Sequence, residues 1–301
     1  MRYLVTGAAG FIGSHLSRAL LEAGHDVVGL DCFTDYYDAA LKEENAEGLD
    51  VRRVDLAEDQ LDFAGFDGVF HLAGQPGARS FGDVFPTYLR RNLLATQRVF
   101  EAAVAADLKV VWASSSSIYG DAERYPTPED VEPRPNNPYG ITKLGCEHLQ
   151  DTYARAFGLR AVALRYFTVY GPRQRPDMAF ARIVNALAYD EEFELYGNTS
   201  RSFTYVADVV DATIHALDAT PGIYNVGGGD EATMAEAIAT LEDVAGRSLR
   251  VTHGPPQAGD MQRTKADTAR IAKELGWCAT TPLRVGLEKH WEWASGRVTT
   301  R

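Results

Sequence analysis

Three glycines spaced three apart constrain this chain more than any other feature. Gly7, Gly10 and Gly13 stand in "TGAAGFIG", between the β-like run "RYLVT" and the amphipathic stretch "FIGSHLSRALLEAG". Glycines on a strand-to-helix turn let the backbone bend sharply and approach a pyrophosphate, whose charge is held by the N–H groups and positive dipole end of the following helix. The spacing G-x-x-G-x-x-G is a weak signal taken alone. The strand before it, the helix after it and an acid, Asp31, closing the next strand-like run "DVVGLD" make it a dinucleotide site. A carboxylate there accepts ribose hydroxyls and repels an added phosphate, so the expected cofactor is NAD rather than NADP.

The same alternation continues through "VRRVDL", "DGVFHLA", "KVVWASS" and "LRAVALR", with helices expected over residues 84 to 106 and 138 to 157. Strands alternating with helices predict an α/β fold, a Rossmann-type doubly wound parallel sheet. After Thr168 the rhythm breaks at Pro172, Pro176, Pro221, Pro255, Pro256 and Pro282, which predicts a smaller, irregular α/β substrate lobe. The run "GIYNVGG" at 222 to 228, after a helical 206 to 219, is expected to return to the main sheet. The expected division is therefore 1–168 plus 206–228 for the cofactor domain, and 169–205 plus 229–301 for the substrate lobe.

Composition narrows the partners. A net charge of -12 over 301 residues disfavours attraction to nucleic acid or an anionic membrane surface, leaving small-molecule chemistry. No stretch of 18 apolar residues exists, and strand-like sequence begins at Arg2, so neither a membrane span nor an export leader is expected. Cys32, Cys146 and Cys278 are too scattered for a disulfide framework or a metal site, which suits a reducing cytoplasm.

Tyr139 and Lys143 in "NNPYGITKLGCEHL" are four apart, a spacing that puts both on one helix face. Free tyrosine loses its proton near pH 10, so a tyrosine acting as a base at neutral pH needs cations that favour the phenolate, such as a neighbouring lysine and a positive nicotinamide ring. Upstream, "WASSSSIYG" closes the fifth strand with a row of hydroxyls at the carboxyl edge, where open α/β sheets bind ligands. His71, closing a strand, reads as a packed core residue, and Trp291 and Trp293 as packing or partner surface in a final helix.

Together the glycine triad, "HLAGQPGAR", "SSSSIYG", Tyr139/Lys143 and "RSFTYVADVV" resemble the extended short-chain dehydrogenase/reductases that modify nucleotide sugars, over nearly the whole chain. The resemblance implies Tyr139, Lys143 and Ser115 as the catalytic set, Tyr139 taking the proton of the sugar 4-hydroxyl. It implies NAD contacts at Gly7, Gly10, Phe11, Ile12, Gly13, Asp31, Leu56, Leu72, Ala73, Gln75 and Asn92, besides Tyr139 and Lys143; Asp55 is either a loop acid or an adenine contact. The family usually dimerises through the helices placed here at 84 to 106 and 138 to 157, so a homodimer is expected. Members that eliminate or decarboxylate carry an acid two residues before the tyrosine that ends the serine row, Tyr119 in "SSSSIYG", where this chain has Ser117; simple return of hydride to the other sugar face, a 4-epimerisation, is the implied outcome.

The run "RYFTVYGPRQRPDM", with "DCFTDYYDAALK", is similar to UDP-glucuronate 4-epimerases in particular. A desolvated sugar carboxylate needs a fixed cation, and a guanidinium meets it with two parallel hydrogen bonds, each charge-assisted bond contributing about 1.5 to 3 kcal/mol. Arg175 is assigned that clamp, aided by Thr168, Ser116 and Ser117, with Arg173 as a rim charge. Clamping also keeps the 4-keto acid from aligning its carboxylate for loss of carbon dioxide. Arg201 and Arg263 are expected near the diphosphate, and Arg79 is either a substrate contact or a loop ion pair. The rival readings are an epimerase of UDP-glucose or UDP-N-acetylglucosamine and, from another class, a non-catalytic NAD-binding protein.

Overall fold

The computed structural model describes residues 1–77, 80–255, 259 and 261–298. Its first half alternates as the sequence requires: β1 (Arg2–Thr6), α1 (Phe11–Glu22), β2 (Asp26–Asp31), α2 (Ala39–Ala46), β3 (Val51–Arg53), β4 (Gly68–His71), α3 (Phe85–Tyr88), α4 (Ala95–Ala105), β5 (Lys109–Ser115), α5 (Pro138–Phe157) and β6 (Arg160–Tyr166). The second half holds β7 (Thr168–Tyr170), α6 (Ala179–Tyr189), β8 (Glu192–Tyr196), β9 (Ser200–Tyr205), α7 (Val206–His215), β10 (Gly222–Val226), β11 (Glu231–Thr233), α8 (Met234–Ala245), β12 (Arg250–Gly254), β13 (Arg263–Thr264), α9 (Ala269–Leu275) and α10 (Leu283–Val298).

Seven strands form one parallel sheet in the order β10-β6-β5-β4-β1-β2-β3. Helices cover both faces, so the strands read as near-continuous apolar runs; all four residues of β4 are buried. The strand order reverses between β1 and β4, and at such a switch point a crevice opens at the carboxyl ends. "GIYNVGG" does return to the sheet, pairing with β6 from Gly222↔Val162 to Val226↔Tyr166.

The remaining strands make two small units. β9 pairs with β7, β11 and β13, and β8 pairs with β12. One apolar cluster joins them to the sheet, running from Val5 and Phe70 through Tyr170 and Phe203 to Leu241 and Leu287. Among the described residues no helix is long and apolar enough to cross a membrane.

Several boundaries differ from expectation for local reasons. α1 stops at Glu22 and Gly24 then takes a left-handed φ of +81°, which terminates the helix. The helix expected at 84 to 106 runs from Phe85 to Ala105 but is interrupted by a π-helical turn, Leu89–Leu94. α5 matches its expected span, capped by the Asn137 side chain accepting from the Gly140 N–H at 2.8 Å and closed by Gly158 with φ +72°.

Candidate active site

A cavity of about 440 Å³ opens at the carboxyl ends of the central strands. Its cofactor end is a glycine cradle. The Gly7 N–H donates to the Leu30 carbonyl at 2.7 Å and the Gly10 N–H to the Gly7 carbonyl at 2.9 Å. A Cβ on Gly7, whose φ is +71°, would lie 2.7 Å from the Ala73 nitrogen, and one on Gly13 would collide with the Gly7 carbonyl. Gly10 caps α1 without any side chain, so the first N–H groups of that helix face the cavity mouth unobstructed by a cap. Backbone can pass this close to a dinucleotide pyrophosphate only where side chains are missing, so the cradle fits NAD.

Asp31 closes β2 at the far end of the cradle. Its carboxylate accepts from the Phe33 N–H at 2.8 Å and the Ala9 N–H at 3.2 Å, leaving lone pairs for hydroxyls. Lys42, on α2, stands 4.0 Å away and donates to Thr34 Oγ1 at 2.8 Å. Burial pulls the Lys42 pKa down against the raising effect of Asp31. Lys42 escaped assignment in the sequence, although it closes the "DCFTDYYDAALK" stretch and lines the cavity. Asp55 also lines it, but is engaged by Arg90 Nη2 at 2.7 Å and by the Ala57 N–H at 2.9 Å, so its loop-acid role is satisfied in any case.

The floor is built where β5 ends against α5. Ala113, Ser114, Ser115 and Ser117 line the cavity with Tyr139 and Lys143. Gly140 lets the first turn of α5 press on this row, since a Cβ there would lie 2.5 Å from the Ser117 carbonyl. The Lys143 ammonium donates to the Ala113 carbonyl at 2.7 Å and lies 5.9 Å from the centre of the Tyr139 ring. Beneath them, Glu147 takes both the Arg165 Nε at 2.9 Å and Nη2 at 2.7 Å, and accepts from Ser114 Oγ at 2.6 Å. This ion pair is buried, with both side chains 4% exposed, and Arg165 Nη1 continues the network to the Tyr119 hydroxyl at 2.6 Å.

Expected cofactor residues Phe11, Ile12, Leu56, Leu72, Ala73 and Gln75 all line the cavity, as do Thr168 and Arg175. Four expected contacts do not. Asn92 is wholly buried in the π-helical turn, accepting from the Gln75 N–H at 2.7 Å and donating to the Gln75 carbonyl and Thr142 Oγ1, each at 3.1 Å. It shapes the loop that carries Gln75 and does not face the cavity. Ser116 is buried within the single turn after β5, off the cavity wall. Arg201 donates to the Met261 and Ser200 carbonyls, and Arg263 forks onto Glu231 at 2.6 and 2.9 Å, pulling the Glu231 pKa down to about 2. Neither reaches the cavity. Arg79 lies outside the described residues. His71 is the packed residue expected, held between Thr6 Oγ1 at 2.7 Å and Thr96 Oγ1 at 3.0 Å, with burial pushing its pKa down to about 3.

The two arginines after β7 diverge. Arg173, at φ +63°, is not on the wall of this cavity and donates to Asn45 Oδ1 on α2 at 3.0 Å. Arg175 lines the cavity with Tyr139 and Thr168 while forking onto Asp177, Nε to Oδ1 at 3.0 Å and Nη2 to Oδ2 at 3.1 Å. Burial works against the Arg175 charge, yet Asp177, with the Tyr36 and Tyr139 hydroxyls, holds its pKa above the ordinary arginine value. Tyr36, from the loop after Asp31, reaches Asp177 Oδ2 at 3.4 Å, a contact no local pattern announced.

Comparison with known proteins agrees with this geometry. The family model described as NAD dependent epimerase/dehydratase matches residues 3–227. A Bacillus subtilis protein named as an uncharacterised UDP-glucose epimerase is 38% identical, over 95% of this chain and 96% of its own. UDP-glucuronate 4-epimerase 6 of Arabidopsis thaliana is 33% identical, over 97% of this chain and 71% of its own. Among solved structures, UDP-glucuronic acid 4-epimerase from Bacillus cereus, in complex with UDP-glucuronic acid and NAD, superposes with a TM-score of 0.95 at 37% identity, over 99% of this chain and 100% of that one. With the match spanning the glycine cradle, the serine row and the Tyr139/Lys143 pair, the chain belongs to the NAD dependent epimerase/dehydratase family.

Proposed function

We propose that this protein is a UDP-glucuronate 4-epimerase, interconverting UDP-glucuronate and UDP-galacturonate through a transient 4-keto sugar with NAD held throughout. The observation that carries this reading is the half-buried Arg175 guanidinium, aimed into the same cavity as Tyr139 and Thr168. A cation at that depth suits a carboxylate, and the B. cereus enzyme and the Arabidopsis relative are both named for UDP-glucuronate.

NAD, held by the Gly7 cradle with Asp31 and Lys42 at its ribose end, supplies a hydride acceptor and donor, so oxidation and reduction balance within one turnover. Tyr139 Oη takes the proton of the sugar 4-hydroxyl and returns it, with the Lys143 ammonium, fixed on the Ala113 carbonyl, 5.9 Å from its ring centre on the same helix face. Ser115 and Ser117 present hydroxyls beside Tyr139 that orient the sugar. No carboxylate stands at Ser117 to draw off a proton for elimination, which favours epimerisation. Thr168 and Arg175 hold the sugar carboxylate. We divide the molecule into the cofactor domain 1–168 plus 206–228 and the substrate lobe 169–205 plus 229–301. We further infer a homodimer in a reducing cytoplasm. Exposed Phe81, Phe85, Leu89, Leu94 and Ile141 on and around the α3–α4 and α5 helices support the first, and three unpaired cysteines support the second.

A second reading, a UDP-glucose epimerase, is favoured by the B. subtilis relative's name and by Asp177, which already neutralises Arg175. Incubating the protein with UDP-glucuronate and separately with UDP-glucose, and separating products by chromatography, decides between them. UDP-galacturonate is expected from the first; its absence would reject the reading.

A further inference from the structure

A guanidinium offers two edges to carboxylates, Nε/Nη2 and Nη1/Nη2. Asp177 takes the first edge of Arg175 at 3.0 and 3.1 Å, and Nη1 has no partner among the described residues. The second edge belongs to a side chain that lines the cavity beside Tyr139 and Thr168. We propose that Asp177 sets how strongly this site discriminates between acidic and neutral sugars, by pinning and neutralising one edge of Arg175 while leaving the other to substrate. This rests on the reading of Arg175 as the carboxylate clamp.

Two consequences follow from charge alone. With a neutral sugar in place the Arg175–Asp177 pair stays intact, so no naked cation is left opposite a hydroxymethyl group. With a uronate in place two carboxylates share one guanidinium, and its grip on the substrate is weaker than that of an unpaired arginine. Asp177 thus lowers the selectivity that Arg175 alone would give. Its side chain is 36% exposed, so solvent screens the effect and keeps it modest. The Tyr36 hydroxyl, 3.4 Å from Asp177 Oδ2, holds the acid in place from the cofactor-side loop. Burial, with Asp177, pushes the Tyr36 pKa up to about 12, so it remains a donor across the working pH range.

The test uses the full NAD-loaded chain and its Asp177→Asn variant, which keeps an oxygen acceptor for Nε and removes the charge. The quantities are KM for UDP-glucuronate and Ki for UDP-glucose as a competitive inhibitor. The ratio of Ki to KM is expected to rise about tenfold in Asp177→Asn, with a lower KM and a higher Ki, and to stay within about threefold of wild type in Asp177→Glu. An unmoved or smaller ratio in Asp177→Asn, or an equal rise in Asp177→Glu, overturns the assignment. Wild-type turnover with an unmoved ratio overturns only the role of Asp177; no wild-type turnover of UDP-glucuronate overturns the clamp reading with it.

Discussion

Tyr139 and Lys143 stand on the first turns of a 20-residue helix whose underside is locked to the sheet by the buried Glu147–Arg165 pair, whereas Arg175 stands on a surface turn whose partner, Asp177, lies open to water. The two regions face each other across one cavity, but only the first is held by groups that water cannot reach. A proton-transfer floor must keep its geometry through every turnover, because small displacements cost large factors in rate. A wall that admits and releases a charged sugar works with weaker, solvent-screened contacts. The cavity therefore combines a rigid side for chemistry with a replaceable side for recognition.

Tyr139→Phe breaks the floor without moving it. Turnover is expected to fall at least a hundredfold, the scale of a lost general base, while NAD measured after denaturing the purified variant stays near wild-type occupancy. Unchanged turnover would remove Tyr139 from its role. The contrast in rigidity sharpens on stability. Arg165→Met leaves Glu147 as a buried, uncompensated charge and is expected to cost roughly 3 to 5 kcal/mol in denaturant unfolding. Arg175→Ala, losing a partly exposed pair, is expected to cost under about 1 kcal/mol. Equal losses would mean the two regions are held alike.

Acid strikes the sheet beside the floor as well. His71 titrates near 3 when folded and near 6.5 when unfolded, so between those values the unfolded chain binds the extra proton. Its contribution is fully present above about pH 6.5 and falls as pH drops, by roughly 2 kcal/mol at pH 5. Thermal melts from pH 7 to pH 4 are expected to show a shallower decline in His71→Asn; the same slope in both proteins would contradict this.

What the sequence made legible were features written locally. The glycine cradle requires bare backbone at three fixed places, and the parallel strands announce themselves as apolar runs, so both were readable without any knowledge of distant partners. Tyr139 and Lys143 needed only helical spacing. The unread features depend on pairings far apart in sequence. Nothing near Asn92 signals a π-helical turn that folds its side chain back onto Gln75. Nothing near Arg263 shows that Glu231, 32 residues earlier, already occupies it. The resemblance already set Arg175 apart from Arg173, but nothing local shows the left-handed backbone at Arg173 or its bond to Asn45, 128 residues away.

That separation carries the account, and the paired variants Arg175→Ala and Arg173→Ala test it most directly. With UDP-glucuronate as substrate, kcat/KM is expected to fall roughly ten- to hundredfold in Arg175→Ala, with carbon dioxide released from part of the turnover, and to stay within about twofold in Arg173→Ala. Equal effects from the two substitutions, or an Arg175→Ala enzyme as fast as wild type that still yields only UDP-galacturonate, would contradict it.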